Sequence, residues 1–223
     1  MGHTAGWNLI RVCALGAALF LAPPVHAQGV GASAHAGTLG LGADVAVSVS
    51  DELSLRAGAN FFPFDINFDE SDVDYDLDLP SPQFLLLADF YPIGGFHVSG
   101  GIMVSTSDFD LTAELSEPVE IGETTYTPAE IGNLTGRLAT RDVSPYVGIG
   151  FGNAAASRIG FVFDLGVAFH GEPRVSATAD GPVASLPGFQ QDLDAEIAEI
   201  QEDVENIIVY PVLSLGISIG LRR

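Results

Sequence analysis

The chain has no lysine and a single cysteine, Cys13. Beyond the N-terminal segment, no apolar run reaches the roughly 18 residues that a membrane-crossing helix needs. Each absence excludes something. Arginine supplies all eight bases against 29 acids, a formal net charge of −21, and no basic patch forms. Nucleic acid is therefore not an expected partner. Cys13 lies in a segment expected to be removed, so the mature chain has no disulfide and no thiol chemistry. Five histidines, two of them in that same segment, make no metal-ligand cluster. No serine sits in a recognisable nucleophile motif, so no catalytic residue, metal site or cofactor is assigned.

Residues 1–27 read as a secretory signal. Arg11 gives the positive n-region, Val12 to Val25 is mostly apolar, and Val25-His26-Ala27 offers a small-residue cleavage site before Gln28. An N-terminal anchor helix is the alternative, but the run is short and broken by Pro23-Pro24. Ile10-Arg11-Val12 does not resemble a lipoprotein signal, so no lipid is expected on Cys13. Residues 28–223 would then form the mature domain.

What the mature part has is alternation. Seven segments place apolar residues at every second position: Leu39–Val49, Leu53–Phe61, Phe84–Tyr91, Phe96–Ser105, Val143–Phe151, Ile159–His170 and Val209–Leu221. Such dyad segments of about 9–11 residues suit a tilted, bilayer-spanning barrel. A soluble lipocalin-like barrel alternates too, with its apolar face inward. Its outer face would be crowded with long solvated side chains. Here the second face is mostly Gly, Ser and Ala, which suits the inside of a narrow barrel. The Val, Leu, Ile and Phe face then meets lipid.

Connections point the same way. Ser50–Glu52, Ile93–Gly95 and Asn153–Arg158 are short, whereas about Phe68–Gln83, Leu115–Arg137 and Asp180–Ile208 are long. Short periplasmic turns and long extracellular loops are the habit of bacterial outer-membrane barrels, whose strand number is even. An eighth strand is therefore expected at about residues 29–36, despite poor β-propensity. Within the loops, Thr127-Pro128-Ala129-Glu130 reads as a capping box with proline at the first helical position. Phe189, Leu193, Ile197, Ile200, Val204 and Ile207 mark an acidic amphipathic helix at about 187–206, packed across the barrel mouth or on strand extensions.

The chain resembles the small outer-membrane barrels grouped with the OmpA- and OmpW-like families, and more closely a set of mostly uncharacterised proteobacterial barrels. The residues that carry this are Gly37-Thr38-Leu39-Gly40-Leu41-Gly42, Asp89-Phe90-Tyr91-Pro92, Tyr126-Thr127-Pro128-Ala129-Glu130 and Tyr210-Pro211-Val212-Leu213-Ser214-Leu215-Gly216. Ser214, Gly216, Ile219 and Leu221 resemble the signal read by the barrel assembly machinery. The resemblance implies that machinery and outer-membrane lipid as partners. The printed chain closes on Leu221-Arg222-Arg223 where such signals close on phenylalanine.

The inward face carries Asp44, Arg56, Asp89, His97, Asp164 and His170, with Arg141 and Asp142 near its upper end. A lumen network of Asp44, Arg56, Asp89, Arg141, Asp164 and His170 is expected, filling the barrel as a plug or lining an ion path. Of the 29 acids, 23 fall in the long-loop regions Asp65–Asp78, Asp108–Glu130 and Glu172–Glu205, so the outer rim is strongly negative. Asp72, Asp74, Asp76 and Asp78 alternate with Val73, Tyr75, Leu77 and Leu79 as a carboxylate ladder. That ladder makes divalent cations a candidate partner through Asp72, Asp74 and Asp76, although EF-hand spacing fails.

The expected fold is all-β: an eight-stranded antiparallel up-and-down transmembrane barrel with long acidic extracellular loops. The leading expectation for function is a structural or loop-mediated binding role at the outer membrane. A narrow cation-preferring diffusion channel is the alternative, and an outer-leaflet lipid-modifying enzyme the second.

Overall fold

The computed structural model describes residues 29–63, 66–70, 73–79, 81–106, 108–122 and 124–222. The expected export segment and Asp72 fall outside them, as do the side chains of Asp74 and Asp76. Strand β1 (Gly29–Gly37) turns through Thr38-Leu39 into β2 (Gly40–Ser48), and a tight turn leads to β3 (Leu53–Phe61). The first long connection carries β4 (Ile66–Glu70) and β5 (Val73–Asp78), before β6 (Gln83–Ile93) and β7 (Phe96–Ser105). The second holds β8 (Phe109–Leu115), β9 (Val119–Ile121), β10 (Thr124–Tyr126), the one-turn helix α1 (Pro128–Ile131) and β11 (Asn133–Ala139). Strands β12 (Val143–Phe151) and β13 (Ile159–Ala168) follow. The third connection contains β14 (Arg174–Ala179) and helix α2 (Pro187–Val204), and β15 (Tyr210–Arg222) completes the described chain.

Eight of these strands close into an antiparallel barrel in the order β1-β15-β13-β12-β7-β6-β3-β2. Strand β1 has few residues that favour a strand alone, yet it seals the barrel. It is laddered to β2 from Gly29 to Gly37 and to β15 from Val30 to Gly37. Pairing on both edges supplies what propensity does not.

Period two sorts the side chains. Phe161 (77% exposed), Leu215 (62%) and Val45 (50%) point out, while Ser54, Asp89 and Ser218 are each 1% exposed inside. An outer belt so rich in exposed Val, Leu, Ile and Phe has no stable place in water. It matches hydrocarbon. Among the described residues no helix is long and apolar enough to cross a membrane; the outward apolar face of the closed barrel is what bilayer-spanning strands present.

One position departs from the alternation. Leu39, expected on the outer face, is 5% exposed and packs inside with Leu85, Leu87 and Val212. It stands in the β1–β2 turn, where backbone direction reverses and the two-residue period no longer applies.

The long connections are more ordered than loops. They pool five strands into a second antiparallel sheet, β14-β11-β8-β5-β4, and β9 pairs with β10 beside it. Helix α2 lies on this outer domain, burying Phe189 and Leu193 against Ile121 and Ile131. Thr127 donates both its N–H (2.9 Å) and its hydroxyl (2.7 Å) to Glu130, which ties down the start of α1.

Candidate functional site

The barrel interior is the one place where the spanning strands bring buried charge together. Arg56, on β3, projects among carboxylates from three other strands. Its two terminal nitrogens each donate to Asp164 at 2.8 Å, a bidentate fork. Nη2 also donates to Asp89 Oδ1 at 3.1 Å, and Nε lies 2.9 Å from Asp89 Oδ2 in an ion-pair contact without hydrogen-bond alignment. Asp44 stands 3.7 Å from Nη1.

Each carboxylate has further support. Ser99 donates to Asp89 at 2.6 Å and Ser33 donates to Asp44 at 3.2 Å. His97 Nε2 lies 3.0 Å from Asp164. His35 bridges Asp44, 3.3 Å from Nδ1, and the Asn60 amide oxygen, 2.8 Å from Nε2. One guanidinium faces three carboxylates. The imidazoles and the serine hydroxyls supply the remaining contacts, so each of the three carboxylates is buried with partners.

Glycine makes the room. A methyl group on Gly58 would collide with Asp44, and one on Gly150 with the His97 ring. On Gly42 it would strike His35 and Asn60. The inner glycines are cradles for larger side chains reaching across from neighbouring strands.

Two other layers flank the charges within the lumen. Toward the end that carries the long connections, Leu39, Leu85, Leu87, Met103, Tyr146, Ala168 and Val212 form an apolar layer, with Tyr210 packed on it. The Tyr146 ring rests on Gly148 and Gly166. Between this layer and the charges remains a cavity of about 20 Å³, room for about one water. At the opposite end the Asn153–Arg158 turn tucks Ala154 and Ala155, 7% and 2% exposed, against the inner face at Gly31. Asn153 holds that turn by accepting from the Ala156 N–H at 3.0 Å, and Gly220 N–H donates to Arg158 O at 3.2 Å.

Of the six residues expected in the lumen network, Asp44, Arg56, Asp89 and Asp164 meet. Arg141 and His170 do not. Arg141 precedes β12 and lies against Gly171, and His170 follows β13 at the outer rim. Both stand beyond the paired strand ends, where alternation no longer aims a side chain inward. His35, Asn60, Ser33 and Ser99 are cluster members that sequence reasoning left out of the network. His35 shares the face of Gly31 and Ser33, so strand parity alone would have placed it. The apolar layer was legible in the same way, because Leu85, Leu87, Met103, Tyr146 and Val212 all occupy inward positions near outer strand ends.

Among the described residues, no group of three or more His, Cys, Asp or Glu side chains is arranged to hold a metal ion. The sheet register sets Asp69, Asp74 and Glu114 in one cross-strand row, and Asp78 beside Asp110. Arg137 answers that second row, bonding Asp110 through Nε (2.6 Å) and Nη2 (3.1 Å). The Asp110 carboxylate holds Arg137 above the usual arginine value.

Neither a protein-family model nor a curated protein sequence matches the chain. Two solved structures are similar to it. CarO2 of Acinetobacter baumannii has a TM-score of 0.61 and 23% identity, the match covering 86% of this chain and 98% of that one. CarO of the same organism has a TM-score of 0.58 and 24% identity, over 86% and 97% of the two chains. The shared span takes in the outer domain as well as the barrel. This chain therefore has the fold of an eight-stranded outer-membrane β-barrel, a likeness of architecture rather than of chemistry.

Proposed function

We propose that this protein is a non-conducting outer-membrane barrel whose role is exercised by its acidic outer domain. The observation that carries this is the filled lumen: apolar layer, charge cluster and inserted turn occupy successive levels of the interior. A barrel of eight strands is just wide enough for side chains to fill. Here they do. The spanning part then acts as an anchor, and the connections, folded into a sheet and helix, supply the working surface. Its negative charge suits a cationic partner, drawn in by long-range attraction. Divalent cations would act as a loose counter-ion layer over the carboxylate rows rather than as chelated ions.

Further proposals attach to the same reading. Residues 1–27 would be cleaved after Ala27. The motif resemblance would group the chain with OmpA- and OmpW-like barrels. The β15 pattern at Ser214, Gly216, Ile219 and Leu221 would engage the assembly machinery.

A binding test uses the full chain in lipid nanodiscs with poly-L-lysine as the cationic probe. Asp194, Glu199, Glu202, Asp203 and Glu205 are exposed on or beside α2. Changing these five to Asn or Gln should weaken binding at least tenfold and flatten its salt dependence. Unchanged affinity and salt dependence would remove the outer domain from the role.

A further inference from the structure

Where the outer sheet meets the barrel rim, above the apolar layer, lies a second cavity of about 180 Å³. Two of the long connections and β15 converge on it. Phe109 and Leu138 come from β8 and β11, Val204 from the end of α2, and Tyr210 from β15. The walls are apolar almost throughout. His170, Thr140 and the hydroxyl end of Tyr210 are the exceptions.

The His170 residue is 8% exposed, its ring makes no hydrogen bond within the described protein, and Nδ1 is buried without a partner. Buried polar side chains normally find a partner. This one faces aliphatic and aromatic neighbours in a space with room for a molecule. It is also distinct from the lumen imidazoles, both of which contact carboxylates.

We propose that the cavity binds a small uncharged amphiphile of about one aromatic ring, its single hydroxyl or carbonyl group bonded to His170. Size sets the first limit, since apolar cavities of about 150 Å³ accept benzene. Charge sets the second. The surrounding domain repels anions, and a cation would lose its hydration against apolar walls. Ring stacking favours an aromatic body. The Phe109 and Tyr210 rings already face this space with centroids 6.4 Å apart and planes tilted by 36°. The Tyr210 hydroxyl is engaged by Thr38 O at 2.7 Å, which leaves His170 and Thr140 as the side chains able to bond the ligand's polar end, and His170 is the more buried of the two. The site is separate from the acidic surface on which the proposed role rests, and each stands or falls alone.

The test uses the full chain with isotope-labelled histidine in nanodiscs, titrated with 4-methylphenol. His35 and His97 report on the lumen and serve as internal controls. The His170 ring resonances should shift saturably while those of His35 and His97 stay fixed. Leu138→Trp, which fills the cavity, should abolish the shift and leave the lumen signals in place. Should Leu138→Trp fail to assemble, Val204→Phe tests the same occlusion. No response, a response that never saturates, or one that persists when the cavity is filled overturns the proposal. So does displacement by a long-chain fatty acid alone, which would assign the space to lipid.

Discussion

Arg56 is the residue on which the interior depends most, because Asp89, Asp164 and Asp44 all sit within 3.7 Å of its guanidinium. Remove it and three carboxylates remain buried with no strong cation. Arg56→Met should cost about 3–5 kcal/mol, the range for breaking a buried ion pair by removing one partner. Urea-driven unfolding from lipid vesicles measures this, and a change below about 1 kcal/mol would show the pairing to be incidental. A residue-scale pH effect belongs to the outer domain. Tyr126 donates to Asp192 at 2.7 Å. That bond, with another from Thr124, holds the Asp192 carboxyl below its ordinary 3.8, while the same carboxylate raises the Tyr126 phenol above 10.0. The two signs bracket a window. The carboxylate's contribution is present above its ordinary value and lost as pH falls through the depressed one. The phenol's is present below pH 10 and lost as pH rises through the raised value. Protection of the α2 amides, corrected for the intrinsic pH dependence of exchange, should therefore be greatest between these limits and fall on both sides. Tyr126→Phe should remove the alkaline edge and weaken the acid one, which Thr124 still supports.

At the scale of elements, α2 and the outer sheet hold each other through a small core of their own. Phe189 is 1% exposed and meets Tyr126 edge-on, with ring centroids 5.0 Å apart. Phe189→Ala should destabilise this domain by about 3–5 kcal/mol through lost burial and a residual cavity. The barrel should be unaffected. Limited proteolysis is expected to cut the third connection while the spanning strands stay protected, and equal loss of both would mean that the two parts fold as one unit. Elements also mark how far the sequence could be read. Barrel strands were legible because a bilayer outside and a filled lumen inside impose a strict two-residue period. The weak β1 emerged from even strand number rather than from its own residues. The outer sheet was not legible, apart from the Asp72–Asp78 alternation and the two helices. Its strands are short, acids interrupt their apolar positions, and their partners come from three separate connections.

The whole molecule divides by solvent: a lipid-facing belt, a filled interior and an acidic domain in water. The two-sided constraint on each spanning strand explains why parity placed Asp44, Arg56, Asp89 and Asp164 together. It fails for Leu39, Arg141 and His170 because they lie in turns or beyond strand ends, where no partner strand fixes their direction. The proposed non-conducting role requires a lumen closed at every level. Reconstitution of the purified full chain into a planar lipid bilayer measures that closure directly. No unitary current is expected at either polarity, in monovalent salt or with divalent cations present. Reproducible ion-selective steps that vanish in an unfolded control would contradict it.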